Sequence, residues 1–301
     1  MQKITPFFWY DSQAEEAANF YTSIFKNSRV DDVFRQGGKA LTVGFSLNGQ
    51  QFTALNGGPM FNINPSISMF VLCDTLEETD RVWGQLLEGG MAMMPLDKYD
   101  WNPRYGWLQD KYGLTWQIGL RSADDFAQQF TPCFLFSGQH RNEAGAALKF
   151  YNEVFPDSKL NVVVPYGPEG TGDEGTVMYS NFNLFGQHFI AMDNPNIQPN
   201  YTFNEGVSML VHCEGQAEVD YFWEKLTTNG GEESQCGWLK DPFGVSWQIV
   251  PEEMFQLFTD PDPARAQRAM GAMMQMRKID LEKMRQAADD ESYGSSPGGL
   301  G

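Results

Sequence analysis

YGWLQDKYGLTWQIGL, residues 105–120, returns as CGWLKDPFGVSWQIVP, residues 236–251, with Trp107 over Trp238, Asp110 over Asp241, Gly113 over Gly244 and Gln117 over Gln248. In each block two short runs of aromatic and β-branched residues flank a glycine, which predicts a β-hairpin turning at Tyr112-Gly113 and again in the second copy. Agreement over this length marks an internal repeat. Outward from it, INPSISMFVLCDTLEETDRVWGQLLEGG matches FNEGVSMLVHCEGQAEVDYFWEKLTTNGG, placing Ser68 over Ser208, Cys73 over Cys213, Asp80 over Asp220 and Trp83 over Trp223. GQQFTALNGGP answers to GQHFIAMDNPN. TPFFWYDSQAEEAANFYTSIFKNS answers to TPCFLFSGQHRNEAGAALKFYNEVFPDS, with Thr5, Pro6 and Phe20-Tyr21 over Thr131, Pro132 and Phe150-Tyr151. The spacing changes between blocks, so loops absorb the difference.

Local patterning turns each copy into elements. Ile4 to Tyr10 reads as a strand, and Ala14 to Phe25 places Ala17, Ala18, Tyr21, Ile24 and Phe25 on one helical face. ALTVGFSLN and QFTALN form a hairpin about Asn48-Gly49, where glycine supplies positive φ. A second cycle follows, with a strand over Ser66 to Cys73, a helix over Leu76 to Leu87 closed by Gly89-Gly90, and the hairpin quoted above. Each copy therefore reads as two βαβββ units, an α+β fold. The expected domains are residues 1–122 and 129–251. Residues 252–290 form a helical extension, with one long Met-rich amphipathic helix over Ala264 to Ala288, and 291–301 a disordered tail. Met270, Met273, Met274, Ile279, Leu281 and Met284 on that helix fit packing against the second domain or a sister chain better than a separate partner surface.

The 301 residues suit two domains, each long enough to bury a core, and 42% hydrophobic with 14% aromatic content is ordinary for a globular protein. A net charge of −18 opposes binding to a phosphate backbone, so nucleic acid is not expected as a partner. No apolar run approaches a membrane span, and the amino-terminal MQKITPFFWYDSQ is neither a signal peptide nor a transit sequence, so a cytoplasmic address is expected. Cys73, Cys133, Cys213 and Cys236 form no C-x-x-C pair and read as reduced thiols.

With βαβββ units in pairs, a Phe-Tyr dipeptide late in each first helix and a D-x-x-G-x-x-W-Q-I ending, each copy resembles the vicinal oxygen chelate (glyoxalase/bleomycin resistance/dioxygenase) superfamily. The TP-aromatic strand, SMFVLCD, GWLQDKYGLTWQIG and the terminal DPDPARAQRAMGAMMQMRKIDLEKM are similar to its PhnB-like branch, labelled "3-demethylubiquinone-9 3-methyltransferase" domains. The resemblance implies tandem domains, each with an open barrel-like sheet of two βαβββ units, packed as an intramolecular pseudo-dimer, with a homodimer as a further expectation. It also implies metal-ligand positions, which here fall at Thr5 or Pro6, Ala54 to Asn56, Ser68 and Gln117 in the first copy. In the second they fall at Thr131 or Pro132, Ala191 to Asp193, Ser208 and Gln248. None is histidine. Gln serves as a ligand in some glyoxalase-type sites, but an array of Thr, Ser and Gln offers weak neutral oxygens where zinc and iron want imidazole, thiolate or carboxylate.

The three histidines, His140, His188 and His212, all lie in the second copy. An alternative metal or proton-transfer set is His188 and His212 with Asp193 or Glu214, against the plainer reading of partly buried strand imidazoles. Alternation in the last strand puts Thr115 and Gln117 opposite Leu114, Trp116 and Ile118. Gln117, Thr115, Ser68, Gln248, Ser246, Ser208 and Trp9 are therefore the groove candidates, each able equally to tie sheet to loop. Phe7, Trp101 and Tyr105 could add an aromatic wall. No nucleophile elbow and no glycine-rich first βα turn for S-adenosylmethionine is present, so methyl transfer is not expected. The leading expectation is metal-independent binding of a small apolar or aromatic molecule, cationic ones included, in a sheet groove, with no cofactor. The alternative is a metal-dependent lyase, isomerase or dioxygenase with atypical ligands. A third is an assembly role for the Met-rich segment.

Overall fold

The computed structural model describes residues 2–196 and 201–292. The strand–helix–three-strand cycle read from the sequence occurs four times. The first is β1 (Ile4–Tyr10), α1 (Ala14–Ile24), β2 (Arg29–Gln36), β3 (Lys39–Leu47) and β4 (Gln50–Asn56), and the second is β5 (Ile67–Cys73), α2 (Leu76–Leu87), β6 (Met91–Tyr99), β7 (Asn102–Gln109) and β8 (Thr115–Leu120). The third is β9 (Phe130–Phe136), α3 (Ala144–Val154), β10 (Lys159–Pro165), β11 (Val177–Leu184) and β12 (Gln187–Asp193). The fourth is β13 (Val207–Cys213), α4 (Gln216–Thr227), β14 (Glu232–Glu233), β15 (Trp238–Lys240) and β16 (Ser246–Pro251), followed by α5 (Glu252–Phe258), α6 (Pro263–Met273) and α7 (Leu281–Asp289).

The chain divides into two compact units, Pro6–Ser208 and Met1–Thr5 with Met209–Gly301. The larger unit holds an eight-stranded sheet in the order β10-β11-β12-β9-β5-β8-β7-β6. Two βαβββ units form this sheet, as the fold class requires, but they come from different copies of the repeat. They join at the antiparallel pair β5–β9, where Ser68 faces Cys133 and Phe70 faces Thr131. Inside each unit the helix carries the chain over so that first and last strands run parallel, β5 with β8 and β9 with β12. The repeat boundary between residues 122 and 129 thus crosses the middle of a sheet.

Alternation sorts the sheet's faces. Met69, Val71, Trp116, Ile118, Phe134, Phe136, Phe182, Phe189 and Ala191 are buried on the helix side. In the same unit, strands β1-β4-β3-β2 and helix α1 add Phe8, Phe45, Phe52, Tyr21 and Phe25. Rings meet edge to face, with Tyr21–Trp116 centroids 5.2 Å and Phe25–Phe130 4.8 Å apart.

The repeated D-x-x-G-x-x-W motif is explained by this core. Asp110 accepts from the backbone of Tyr112 (2.8 Å) and Leu114 (3.1 Å), from Trp116 Nε1 (2.8 Å) and from the Tyr21 hydroxyl (2.8 Å). Asp241 does the same for Phe243, Val245 and Trp247. A carboxylate with paired donors on each oxygen ties the hairpin turn to its own tryptophan. Gly113 and Gly244, at φ of 90° and 82°, complete the turns.

The smaller unit contains strands β14-β15-β16-β13, with α4 packed on β15 and β16. The Lys3 carbonyl accepts from the His212 amide at 3.0 Å, holding the amino terminus to β13. The expected single helix over Ala264 to Ala288 is corrected to two, α6 and α7. Between them the Met276 and Arg277 carbonyls accept from the Cys236 and Gly237 amides at 2.7 Å each, which draws the chain out of helical geometry. Asp280 then caps α7 through Lys283 N (3.1 Å). Ile279, Leu281 and Met284 are buried, and the Gln216 carboxamide grips both the Ile279 carbonyl and the Leu281 amide at 2.9 Å. This segment therefore packs back on α4. Most of the expected tail, residues 293–301, lies outside the described residues. Among the described residues no helix is long and apolar enough to cross a membrane.

Candidate functional site

The face of the eight-stranded sheet away from the helices carries polar and aromatic side chains. At its centre the Tyr105 hydroxyl donates to Gln117 Oε1 (2.7 Å), and Gln117 Nε2 donates to Ser68 Oγ (2.8 Å). Cys133 faces Ser68 across the strand pair, and Thr115, Thr131 and Cys133 are fully buried around this chain. The register of β5 against β8 puts Gln117, Thr115 and Ser68 on one face. The sequence reading missed Cys133 and Phe70 as floor residues, although Cys133 shares parity with Thr131 and Phe70 with Ser68.

Aromatic rings wall one side. Tyr105 meets Phe70 at 6.4 Å, Tyr99 at 5.7 Å and Trp101 at 5.9 Å, and Tyr99 stacks on Trp101 at 4.9 Å. Trp101, at the tip of the β6–β7 hairpin, is 66% exposed. The hairpin is fixed in place by Asn102 Nδ2 to the Leu120 carbonyl (2.9 Å) and by the Arg104–Asp80 ion pair (2.7 Å). The Trp107 indole N–H, on the same face by register, is buried without a hydrogen-bond partner among the described residues.

On the opposite side stands His188. Its Nδ1 bonds Asn181 Oδ1 (3.0 Å), its ring stacks on Phe126 at 4.2 Å and 11°, and the Gln128 carboxamide holds both its amide and its carbonyl at 2.9 Å. Phe126 and Gln128 belong to the segment linking the two copies, where no periodicity signals a role.

Burial keeps the thiol, phenol and imidazole groups of this face uncharged at ordinary pH, with Asp125 acting on Tyr179. Burial pushes the Cys133 thiol up to about 12, against the lowering effect of hydrogen bonds from Gln117 and Ser68. Burial likewise pushes Tyr179, close to Cys133, up to about 12 and raises Tyr105 well above the usual phenol range. It lowers His188, favouring the uncharged ring. The overall charge of −18 therefore resides elsewhere on the chain.

Trp9 donates to the Gly58 carbonyl (2.8 Å) and meets Phe61 edge-on at 5.0 Å, and a Cβ on Gly57 would collide with its ring at 2.2 Å, so a loop clasps it. Ser208 is buried on β13. Gln248 and Ser246 are buried on β16 in the smaller unit, the Ser246 hydroxyl without a partner among the described residues. Asp193 accepts from the Ala144 amide (3.0 Å) and the Val177 amide (2.8 Å), the first bond repeating that of Asn56 to Ala14 (2.8 Å). The fourth-strand position thus serves in both copies as a clamp on the start of a helix. His212, in the smaller unit, bonds Thr5 Oγ1 at 3.0 Å, and Glu214 is exposed. His140 pairs with Glu143 at 2.7 Å. Among the described residues no three His, Cys, Asp or Glu side chains converge to hold a metal.

Comparison with known proteins agrees with this architecture. The family described as 3-demethylubiquinone-9 3-methyltransferase matches residues 2–119 and 128–250. A Bacillus cereus structure described as a putative 3-demethylubiquinone-9 3-methyltransferase, PhnB protein, is 39% identical over 40% of this chain and 100% of its own, with a TM-score of 0.39. Glyoxalase I from Zea mays covers 86% of this chain and 95% of its own at 9% identity and a TM-score of 0.59, a likeness of fold. No curated protein matches the chain.

Proposed function

The chain belongs, in both of its halves, to the family described as 3-demethylubiquinone-9 3-methyltransferase, and from that premise we propose that it is a cytoplasmic protein that binds a small, uncharged, apolar or aromatic molecule in the groove of its eight-stranded sheet without a metal. One observation carries the reading. The hydrogen-bond chain from Tyr105 through Gln117 to Ser68 runs through two positions where the resemblance implies metal ligands, and it engages their neutral side chains with one another.

The donor set does not fit a divalent ion. Thr131, Ser68 and Gln117 offer only neutral oxygens, and the one carboxylate at an equivalent position, Asp193, already holds two backbone amides. What remains is a floor of hydrogen-bonded polar groups beside the half-buried ring of Tyr99 and the exposed ring of Trp101, side chains suited to planar apolar ligands. All four cysteines are free thiols, which suits a reducing compartment. The sheet's largely antiparallel order provides no switch point between parallel strands for S-adenosylmethionine, so methyl transfer is not carried over from the family's description.

The test is elemental analysis of the full chain purified without a metal-affinity tag, followed by thermal-shift screening with neutral aromatic compounds. Substoichiometric Zn, Ni, Mn and Fe together with a ligand-induced rise in Tm that Trp101→Ala reduces is expected. Near-stoichiometric metal that disappears in His188→Ala/His212→Ala refutes the metal-free reading.

A further inference from the structure

The dipeptide Asn-Gly occurs three times, at Asn48-Gly49, Asn56-Gly57 and Asn229-Gly230. In such a pair the glycine backbone nitrogen can close on the asparagine Cγ, because no glycine side chain obstructs the five-membered ring and the backbone turns freely into it. The fold holds two of these pairs away from that reaction.

Asn56, half-buried at the end of β4, accepts from the Ala14 amide through Oδ1 (2.8 Å) and donates to the Ala40 carbonyl through Nδ2 (3.0 Å). The Gly57 amide, the group that would attack, donates to the Tyr10 carbonyl (2.9 Å). Asn48 is exposed, but its Nδ2 donates to Gln129 Oε1 (2.8 Å) and its backbone amide to Ser28 Oγ (3.0 Å). Asn48-Gly49 is also the two-residue turn between the paired residues Leu47 and Gln50, so rotating Asn48 onto the next nitrogen would break the hairpin register.

Asn229 is held by none of these devices. It follows α4 with φ of 58°, in the place that Gly89 (φ 75°) takes after α2 in the first copy, since asparagine is the usual alternative to glycine at a left-handed helix end. Asn229 and Gly230 are both exposed, and a Cβ on Gly230 would meet nothing within 4 Å. Among the described residues neither the Asn229 carboxamide nor the Gly230 amide has a hydrogen-bond partner. Rotation about the Asn229 Cα–C bond therefore breaks no side-chain hydrogen bond.

We propose that Asn229, alone of the three, is a site of spontaneous deamidation in the folded protein. The Gly230 nitrogen attacks Asn229 Cγ; as the N–Cγ bond forms, the Cγ–Nδ2 bond breaks and ammonia leaves with the Gly230 amide proton. Water then opens the ring at either carbonyl, giving aspartate or isoaspartate with no redox change. The product adds a negative charge to a chain already at −18, at the C-terminal end of α4 where the helix dipole disfavours it.

The test follows the full chain, folded and unfolded in urea, in mildly alkaline buffer made with heavy-oxygen water, by peptide mapping and mass spectrometry. Unfolding removes every tertiary contact, so each pair serves as its own reference. Folded Asn229 should react within about threefold of its unfolded rate, whereas Asn48 and Asn56, which must first break hydrogen bonds, should be slowed at least about tenfold. Asn229→Gly, which restores the residue of the first copy, should abolish the more acidic species that accumulates first on ion exchange. Slowing of folded Asn229 by more than about threefold, protection of Asn48 or Asn56 by less than about tenfold, or the same early acidic species in Asn229→Gly overturns the proposal.

Discussion

Replacing Tyr21 by Phe removes one oxygen and leaves the aromatic contacts of the core in place. That oxygen donates to Asp110 at 2.8 Å and lies 3.0 Å from the Tyr10 hydroxyl, with both tyrosines buried. A hydrogen bond to a charged acceptor contributes about 1.5–3 kcal/mol, and the stranded Tyr10 hydroxyl adds about 0.5–1.5 kcal/mol. Tyr21→Phe should therefore lose about 2–4 kcal/mol at pH 7.5 in urea unfolding followed by tryptophan fluorescence, and Tyr10→Phe only about 1 kcal/mol. Acidity sharpens the test. Burial raises the Asp110 carboxyl from 3.8 to about 6, outweighing its four hydrogen bonds. Because the folded value lies above the unfolded one, the stability linked to this group is fully present below about pH 3.8 and is lost as pH rises through about 6. At pH 5 the carboxyl is mostly protonated and depends less on a charge-assisted donor, so the cost of Tyr21→Phe should fall to about half. A loss under about 0.5 kcal/mol at pH 7.5, or one unchanged at pH 5, refutes the account of Asp110 as the knot of the repeat.

Three further outcomes follow from the same contacts. Gln117→Leu keeps the bulk but strands the Tyr105 and Ser68 hydroxyls; it should cost about 1–3 kcal/mol in unfolding free energy and weaken binding of any groove ligand found by thermal shift. Met284→Ala opens a cavity beneath α7, where the Met284 side chain is fully buried, and should cost about 2–4 kcal/mol, with limited proteolysis cutting first near residues 274–280. Burial lowers the folded values of His188 and His212, so their contribution is present above the ordinary imidazole value and is lost as pH falls through the folded ones. His212→Gln should therefore flatten the decline of Tm below about pH 6.5, and an unchanged profile would count against this origin.

Much of the fold was legible because the repeat supplied two readings of each element. Helix α2 and strand β1 fall where periodicity placed them, and Asn48-Gly49 turns with φ of 47° and 80°. The edge strands β2, β6 and β10 were not individually legible, since Arg29–Gln36 and Lys159–Pro165 are solvent-facing and interrupted by bulges, which erases simple alternation. The break at Met274 was hidden because nothing in MQMRK opposes a helix; the pairing with Cys236 and Gly237 imposes it from a distance. At the site, parity in β8 identified Gln117, whereas Phe126 and the orientation of His188 depend on where a linker comes to rest, which no local pattern encodes.

The union of strands from both copies at the β5–β9 pair bears on how the chain is made. Strand β5 leaves the ribosome with one flank bare, and its partner Cys133 follows Ser68 by 65 residues. At synthesis speeds of about 5–20 residues per second, that edge waits about 3–13 seconds for β9. During that interval another copy of ISMFVLC is a competing partner, so nascent chains crowded on one messenger are exposed to swapped pairing between neighbours until residue 136 has emerged.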